Sequence, residues 1–179
     1  MISLTSRVNT RTLLTPEKSS KFVCVNSESI FFAKVKQIFT ESIAPLYGSQ
    51  DKAINQIYES TDRTCELLLD NADDPKGILV YKNALQDEFA DHGIKNSLEI
   101  KTLMVVKPKE NSGKGFGRQL IERINDIATE KVSDGIHVTV SQNAEGPKTF
   151  FEHFGFKTVM EWESRYAKGV KEYLLFKSV

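Results

Sequence analysis

The chain has 179 residues, 40% of them hydrophobic and 27% charged, which suits one soluble globular domain with a core of normal size. Lys+Arg 24 against Asp+Glu 24 leaves a formal net charge of zero, and this weighs against a nucleic-acid substrate, because proteins built to grip nucleic acid carry a basic excess. No apolar stretch approaches the roughly 18–20 residues needed to cross a bilayer.

Met1 to Ser20 is rich in Ser and Thr, carries Arg7 and Arg11, and has no acid before Glu17. That composition has some likeness to an organelle presequence, yet it lacks an amphipathic face. The expectation is a flexible leader over residues 1–20 and a single domain over 21–179. Cys24 and Cys65 are too few for a disulfide framework, so a reducing, cytoplasmic location is the default. Cys24 lies in the apolar run Phe22-Val-Cys-Val25 and reads as a buried, inert thiol. His92, His137 and His153 are scattered, and no metal site is legible.

Lys21–Val25 reads as a first strand, followed by a helical stretch from Ser29 with Phe31, Val35, Ile38 and Phe39 on one side. Pro45 and Gly48 interrupt it before a shorter helix from Asp51 to Ser60. Thr64–Leu69 and Ile78–Tyr81 form a hairpin around Asn71–Gly77, and the polar segment Asn83 to Asn96 reads as an irregular insertion. Ser97–Val106 is the next strand. A glycine-rich loop leads into a helix from Arg118 to about Lys131, with Leu120, Ile121, Ile124, Ile127 and Ala128 on one face. Ile136–Val140 is a β-branched strand, and Gly146-Pro147 opens a short helix ending at Phe154-Gly155. Thr158–Tyr166 and Glu172–Phe176 close the chain as a hairpin around Lys168-Gly169. The architecture is α+β, without repeats.

The segment that carries chemistry is Lys107-Pro-Lys-Glu-Asn-Ser-Gly-Lys-Gly-Phe-Gly-Arg118, between the strand and the helix. Gly113, Gly115 and Gly117 lack side chains, so backbone amides can converge at the positive end of the helix, the geometry that binds phosphate. A plain turn also needs glycine. The spacing Gly-x-Gly-x-Gly fits neither a Walker loop, since Lys114 is followed by Gly115, nor a Rossmann fingerprint. Lys107, Lys109, Lys114 and Arg118 add positive charge, which suits either a solvated loop or a phosphate ligand.

This order of elements resembles the GNAT superfamily of N-acetyltransferases from about Lys21 onward. The family has an apolar strand, a Val-x-Pro step and a glycine loop opening a helix. Here Val106-Lys-Pro108 and Ser112-Gly-Lys-Gly-Phe-Gly117 occupy those places. A second signature, an Asn after the fifth strand and a helix ending in an aromatic-Gly-Phe motif, is met by Asn143 and Phe150-Phe-Glu-His-Phe-Gly-Phe156. The resemblance implies a mostly antiparallel sheet splayed between its fourth and fifth strands and flanked by helices, with acetyl-CoA in the gap and no metal. The amides of Asn111, Ser112, Gly113, Lys114, Gly115, Phe116, Gly117 and Arg118 would then receive the pyrophosphate. Strand-edge groups of Met104, Val105 and Val106 would hold the pantetheine arm and polarise the thioester. Asn143 would bond the arm and Phe150 pack against it; the alternatives are a turn cap for Asn143 and plain core packing for Phe150.

Three departures stand out. Ser112 replaces the usual Arg or Gln, and the loop has one residue more than is common. Phe151 stands where many members have the Tyr that protonates the departing thiolate, and Tyr166 is the nearest hydroxyl in sequence. For a general base the choice is Glu99 on the fourth strand; the alternative is a solvated charge paired with Lys101. Simple alternation puts Glu99 with Leu103 and Val105, and a bulge would exchange the faces.

The resemblance implies transfer of acetyl from acetyl-CoA to a primary amine on a small molecule or protein, by direct attack. The alternatives are a CoA-binding module without transferase activity, to which Phe151 and Ser112 point, and a toxin-like enzyme acting on aminoacyl-tRNA, which the balanced charge disfavours. The acceptor site would come from residues 29–60, 83–96 and 158–169, where Asp87, Glu88, Asp91, Glu161 and Glu163 suit a cationic amine or a solvated surface. A homodimer through the closing strands is compatible with the family, and no membrane partner is expected.

Overall fold

The computed structural model describes residues 20–59, 62–85, 87–142, 145–165 and 168–179. Asn143 and Tyr166, and all but the last residue of the expected leader, lie outside the described residues. The strands are β1 Lys21–Val25, β2 Arg63–Leu69, β3 Pro75–Leu85, β4 Asn96–Val105, β5 Gly135–Ser141, β6 Lys157–Glu163 and β7 Lys171–Ser178. The helices are α1 Phe32–Ile38, α2 Ala44–Tyr47, α3 Asp51–Glu59, α4 Pro108–Asn111, α5 Phe116–Glu130 and α6 Glu145–His153.

The strands form one seven-stranded sheet in the order β1-β2-β3-β4-β5-β7-β6, antiparallel at every step except β4 with β5. α5 packs its apolar stripe on one face: Leu120, Ile121, Ile124, Ile127 and Ala128 are buried against Leu68, Leu79, Leu98, Ile100, Ile136 and Val138. Each such side chain contributes about 1.5–3 kcal/mol on leaving water, which is why a helix of only moderate propensity holds firmly here. A bidentate ion pair also ties α5 to β2. Arg123 donates from Nε and Nη2 to the buried Glu66 carboxylate at 2.7 and 2.9 Å. On the opposite face Val35, Ile38, Phe39, Ile54 and Ile57 cover Cys65, Leu67, Leu69, Ile78 and Val80.

Several elements differ from the sequence-based expectation. The segment at 83–96 is not irregular throughout: β3 runs on to Leu85, a 3-10 turn spans Asp87–His92, and β4 starts at Asn96. The helix after β1 widens into a π turn at Phe39–Ile43, just before Pro45, whose ring leaves no N–H for the carbonyl of Glu41. The buried cysteine is Cys65; Cys24 is exposed, because β1 is an edge strand.

β4 carries a bulge. Val80 pairs with Thr102 and Tyr81 with Ile100, which leaves Lys101 as the extra residue. The faces therefore exchange: Leu98, Ile100, Leu103 and Val105 all point to the α5 side, while Met104 and Val106 join the other core. Glu99 is thereby set opposite Leu103 and Val105 rather than beside them.

Candidate functional site

β4 and β5 are hydrogen-bonded only from Ser97↔Gly135 to Ile100↔Val138. Beyond that point β4 runs on to Val105 beside β3, and β5 runs on to Ser141 beside β7, so the sheet opens between them. The amide of Val106 donates to the Lys76 carbonyl of β3 at 2.9 Å. Strand alternation then turns the polar groups of Leu103 and Val105 toward the gap, and those of Met104 and Val106 toward β3. Of the three strand residues expected to touch a ligand through the backbone, Val105 faces the gap, as does Leu103, whereas Met104 pairs with β3.

The loop after β4 is more structured than the glycines alone suggested. Lys107, at φ +48°, turns the chain into the one-turn helix α4. Asn111 is buried, and its side-chain amide donates to the Val106 carbonyl at 2.6 Å. Its own amide bonds Lys107 and that of Ser112 bonds Pro108, so both are consumed within α4. Asn111 thus closes the loop, and Ser112 is exposed beside it.

The cradle itself is narrower. α5 begins at Phe116 with Gly115 as its N-cap at φ +81°, and the first intrahelical bond runs from the Gln119 amide to the Gly115 carbonyl. The amides of residues 115–118 therefore have no acceptor inside the helix. No side chain caps this end and no acid stands in its first turn, whereas Lys114 and Arg118 lie exposed beside it. A positive helix end flanked by cations is unfavourable unless an anion completes it. A Cβ added at Gly115 would meet nothing within 4 Å, so the space before these amides is open.

Gly117 is required for a different reason. A Cβ there would approach Cε2 of Phe150 to 3.0 Å and Cγ2 of Val105 to 3.8 Å. The start of α5, the end of β4 and the α6 side chain of Phe150 therefore converge at one side of the gap. Phe150 is half-buried, with its ring 5.4 Å from that of Phe151. Phe151 is buried and meets Phe156 edge-to-face at 5.1 Å. The position where a family Tyr would donate a proton is thus filled by a core side chain. Phe116 is likewise in the core, so only its backbone faces the cradle.

On the face opposite α5, Glu99 sits in a buried polar group. Its carboxylate accepts from Lys101 Nζ at 2.7 Å and pairs with Lys82 Nζ at 3.3 Å. Its register partner across the parallel pair is His137. Burial works to raise the Glu99 carboxyl, but the Lys101 hydrogen bond and the charges of Lys101, His137 and Lys82 outweigh it and hold it below its ordinary value. Nδ1 of His137 lies 2.8 Å from the hydroxyl of Ser97, and both residues are buried. Phe89, from the 3-10 turn, lies edge-on to the imidazole at 5.6 Å.

Sequence reasoning missed His137 and Ser97. Alternation in β5 does separate His137 from Ile136, Val138 and Val140, but its pairing with Glu99 depends on a parallel register that no local signal specifies. A cleft of about 360 Å³ borders the glycine loop on its other side, against Asp70 of the β2–β3 turn and Lys76 of β3, and lies outside the β4–β5 gap. Among the described residues no cluster of His, Cys, Asp or Glu could hold a metal, and no helix is long and apolar enough to cross a membrane.

No family model and no curated protein matches the sequence. Solved structures do match, over most of the chain. Arabidopsis thaliana NAA60 in complex with a bisubstrate analogue superposes with a TM-score of 0.73 at 16% identity, over 89% of this chain and 98% of that one. Arabidopsis thaliana Naa50 in complex with the bisubstrate analogue CoA-Ac-MVNAL gives 0.65 at 18% identity, over 88% and 99%. The spermidine N-acetyltransferase of Vibrio cholerae, a dodecamer, gives 0.63 at 15% identity, over 89% and 93%. At these identities the likeness is one of fold, and the fold is that of the GNAT acetyltransferases.

Proposed function

We propose that this chain is an N-acetyltransferase that moves an acetyl group from acetyl-CoA to a primary amine by direct attack. The observation that carries the reading is the uncapped start of α5, flanked by Lys114 and Arg118 and converging with Phe150 and Val105 on the gap between β4 and β5. Acetyl-CoA supplies the acetyl group as a thioester, already activated toward an amine. The amides of residues 115–118 hold the pyrophosphate, with Gly113 and Lys114 at its edge. The backbone of Leu103 and Val105 holds the pantetheine arm and polarises the carbonyl oxygen, a contribution of a few kcal/mol in such sites. Phe150 packs on the arm.

An ammonium acceptor must lose one proton before attack and a second as the amide forms. The nitrogen bonds to the carbonyl carbon, the C–S bond breaks with its electron pair on sulfur, and the thiolate takes up one proton. A carboxyl held below its ordinary value is ionised at neutral pH but is a weak base. Glu99 is nevertheless the group on this face that takes the acceptor's proton, because the imidazole of His137 is buried. The acceptor approaches this polar face, and a cationic amine, peptide or polyamine, suits Glu99.

The buried Phe151 supports a second reading, a CoA-binding module without transferase activity. Calorimetric titration with acetyl-CoA, using CoA and ATP as comparators, tests the site, and an amine screen read by CoA release tests the reaction. Micromolar acetyl-CoA binding without comparable ATP binding, followed by turnover, is the expected result. Binding without turnover that Phe151→Tyr then restores would establish the second reading. No binding by folded protein would reduce the glycine loop to a turn.

A further inference from the structure

We propose that the chain acetylates itself on Lys101, whose amine is held against Glu99 at the mouth of the gap between β4 and β5. The inference rests on the reading of that gap as the acetyl-CoA site and of Glu99 as the proton acceptor. Lys101 is the extra residue of the β4 bulge and stands in neither of that strand's two ladders. The last pair joining β4 to β5 is Ile100↔Val138, so Lys101 is the first residue of β4 beyond the closed part of the sheet. Its Nζ donates to one oxygen of the Glu99 carboxylate at 2.7 Å. Lys82 reaches the other oxygen at 3.3 Å from β3, the side away from the gap, and His137 stands opposite Glu99 on β5. The Lys101 side chain is 28% exposed against 10% for that of Glu99, so the amine is the outer member of the pair.

That is the place an acceptor has to take. An amine attacks the thioester from a position where Glu99 can receive its proton, and the Lys101 amine already lies within hydrogen-bond distance of that carboxylate. Leu103, whose backbone faces the gap, is two residues on, about 7 Å along the strand and within the sweep of a flexible four-carbon stem. In the step, Glu99 takes one proton from the Lys101 ammonium, Nζ bonds to the carbonyl carbon, and the C–S bond breaks with its electron pair on sulfur. The thiolate takes up the second proton lost as the amide forms, and Glu99 later releases the first to solvent. The products are acetyl-lysine and CoA. Tethering replaces a bimolecular encounter by the rotation of one side chain, so Lys101 competes with any free amine. Acetylation also removes a cation from Glu99, and a cationic acceptor then no longer has to displace it.

The test incubates the whole chain with deuterated acetyl-CoA and no amine, and follows the label by peptide mass spectrometry. Deuterium separates a new acetyl group from one added during expression. Lys101 should take up label at least about tenfold faster than the exposed Lys52 and Lys131, and faster than Lys82, at a rate independent of protein concentration. Glu99→Gln should slow that uptake about tenfold. Lys101→Arg keeps a cation beside Glu99 and should leave only the slow background on the exposed lysines. Unlabelled acetyl already filling Lys101 in expressed wild type, but not in Glu99→Gln, would be the same result. Uptake at Lys101 no faster than at Lys52 or Lys131, in protein that turns over a free amine, would overturn self-acetylation alone. A rate that rises in proportion to protein concentration would overturn it too, by showing transfer between molecules. Neither uptake nor turnover, in protein that binds acetyl-CoA, would instead remove the transferase reading, and this inference with it.

Discussion

Gly115 offers the sharpest perturbation, because strain and charge can be separated there. Its φ of +81° lies in the left-handed region, so any L side chain costs about 1–2 kcal/mol of stability, close to the same for Ala and Glu. No atom lies within 4 Å of an added Cβ, so neither variant clashes with its surroundings. The two differ in what they put before the amides of residues 115–118. A methyl group leaves the positive helix end unneutralised. A carboxylate satisfies it and repels a second anion, by about 3 kcal/mol for charges ~5 Å apart at an effective dielectric of ~20. Allowing for exposure to solvent, about 2 kcal/mol remains, roughly a 30-fold loss of acetyl-CoA affinity for Gly115→Glu relative to Gly115→Ala. Both variants should melt together, about 2–8 °C below wild type. Calorimetric titration at fixed ionic strength reads the difference. Affinities of the two variants within threefold of each other would refute the assignment of the phosphate cradle to this helix end.

Arg123→Ala strands the buried Glu66 carboxylate; it should cost about 2–3 kcal/mol, or about 5–10 °C in melting temperature, and a loss under 1 °C would mean that solvent replaces the guanidinium. Glu99 is held below its ordinary value in the folded chain, so its share of stability is complete above the usual carboxylate range and fades as pH falls through the folded value. Denaturant titrations from pH 7 to pH 3 should accordingly show wild type losing more stability than Glu99→Gln, and parallel losses would contradict the ion pairing. Native thiol labelling should modify Cys24 and spare Cys65, whose thiol burial pushes up to about 12. Its reaction is also slowed, since burial and then Glu66 raise the Cys24 thiol as well. Labelling of Cys65 in folded protein would place β1 and β2 wrongly.

The order of elements was legible in the sequence because each rests on local periodicity. The five-residue stripe from Leu120 to Ala128 is a helix face whatever it packs on, and Ile136 to Val140 alternates as a strand should. The glycine loop was legible too, since a residue at φ +81° and a helix start where an added Cβ would meet Phe150 at 3.0 Å both demand glycine. Long-range pairing was not. One bulge at Lys101 reversed which residues of β4 share a face, and nothing within the strand's own alternation announces an extra residue whose cause is its pairing with β3. The insertion of β7 between β5 and β6, and the register that sets His137 beside Glu99, likewise depend on pairings between residues 31 to 43 positions apart along β4, β5 and β7. Local chemistry along the chain determined that a glycine-rich, uncapped helix start would follow β4. Which buried polar groups face one another across the opened sheet was decided only when strands distant in sequence found their register, because side-chain direction in a sheet is a property of the pairing and not of the strand alone.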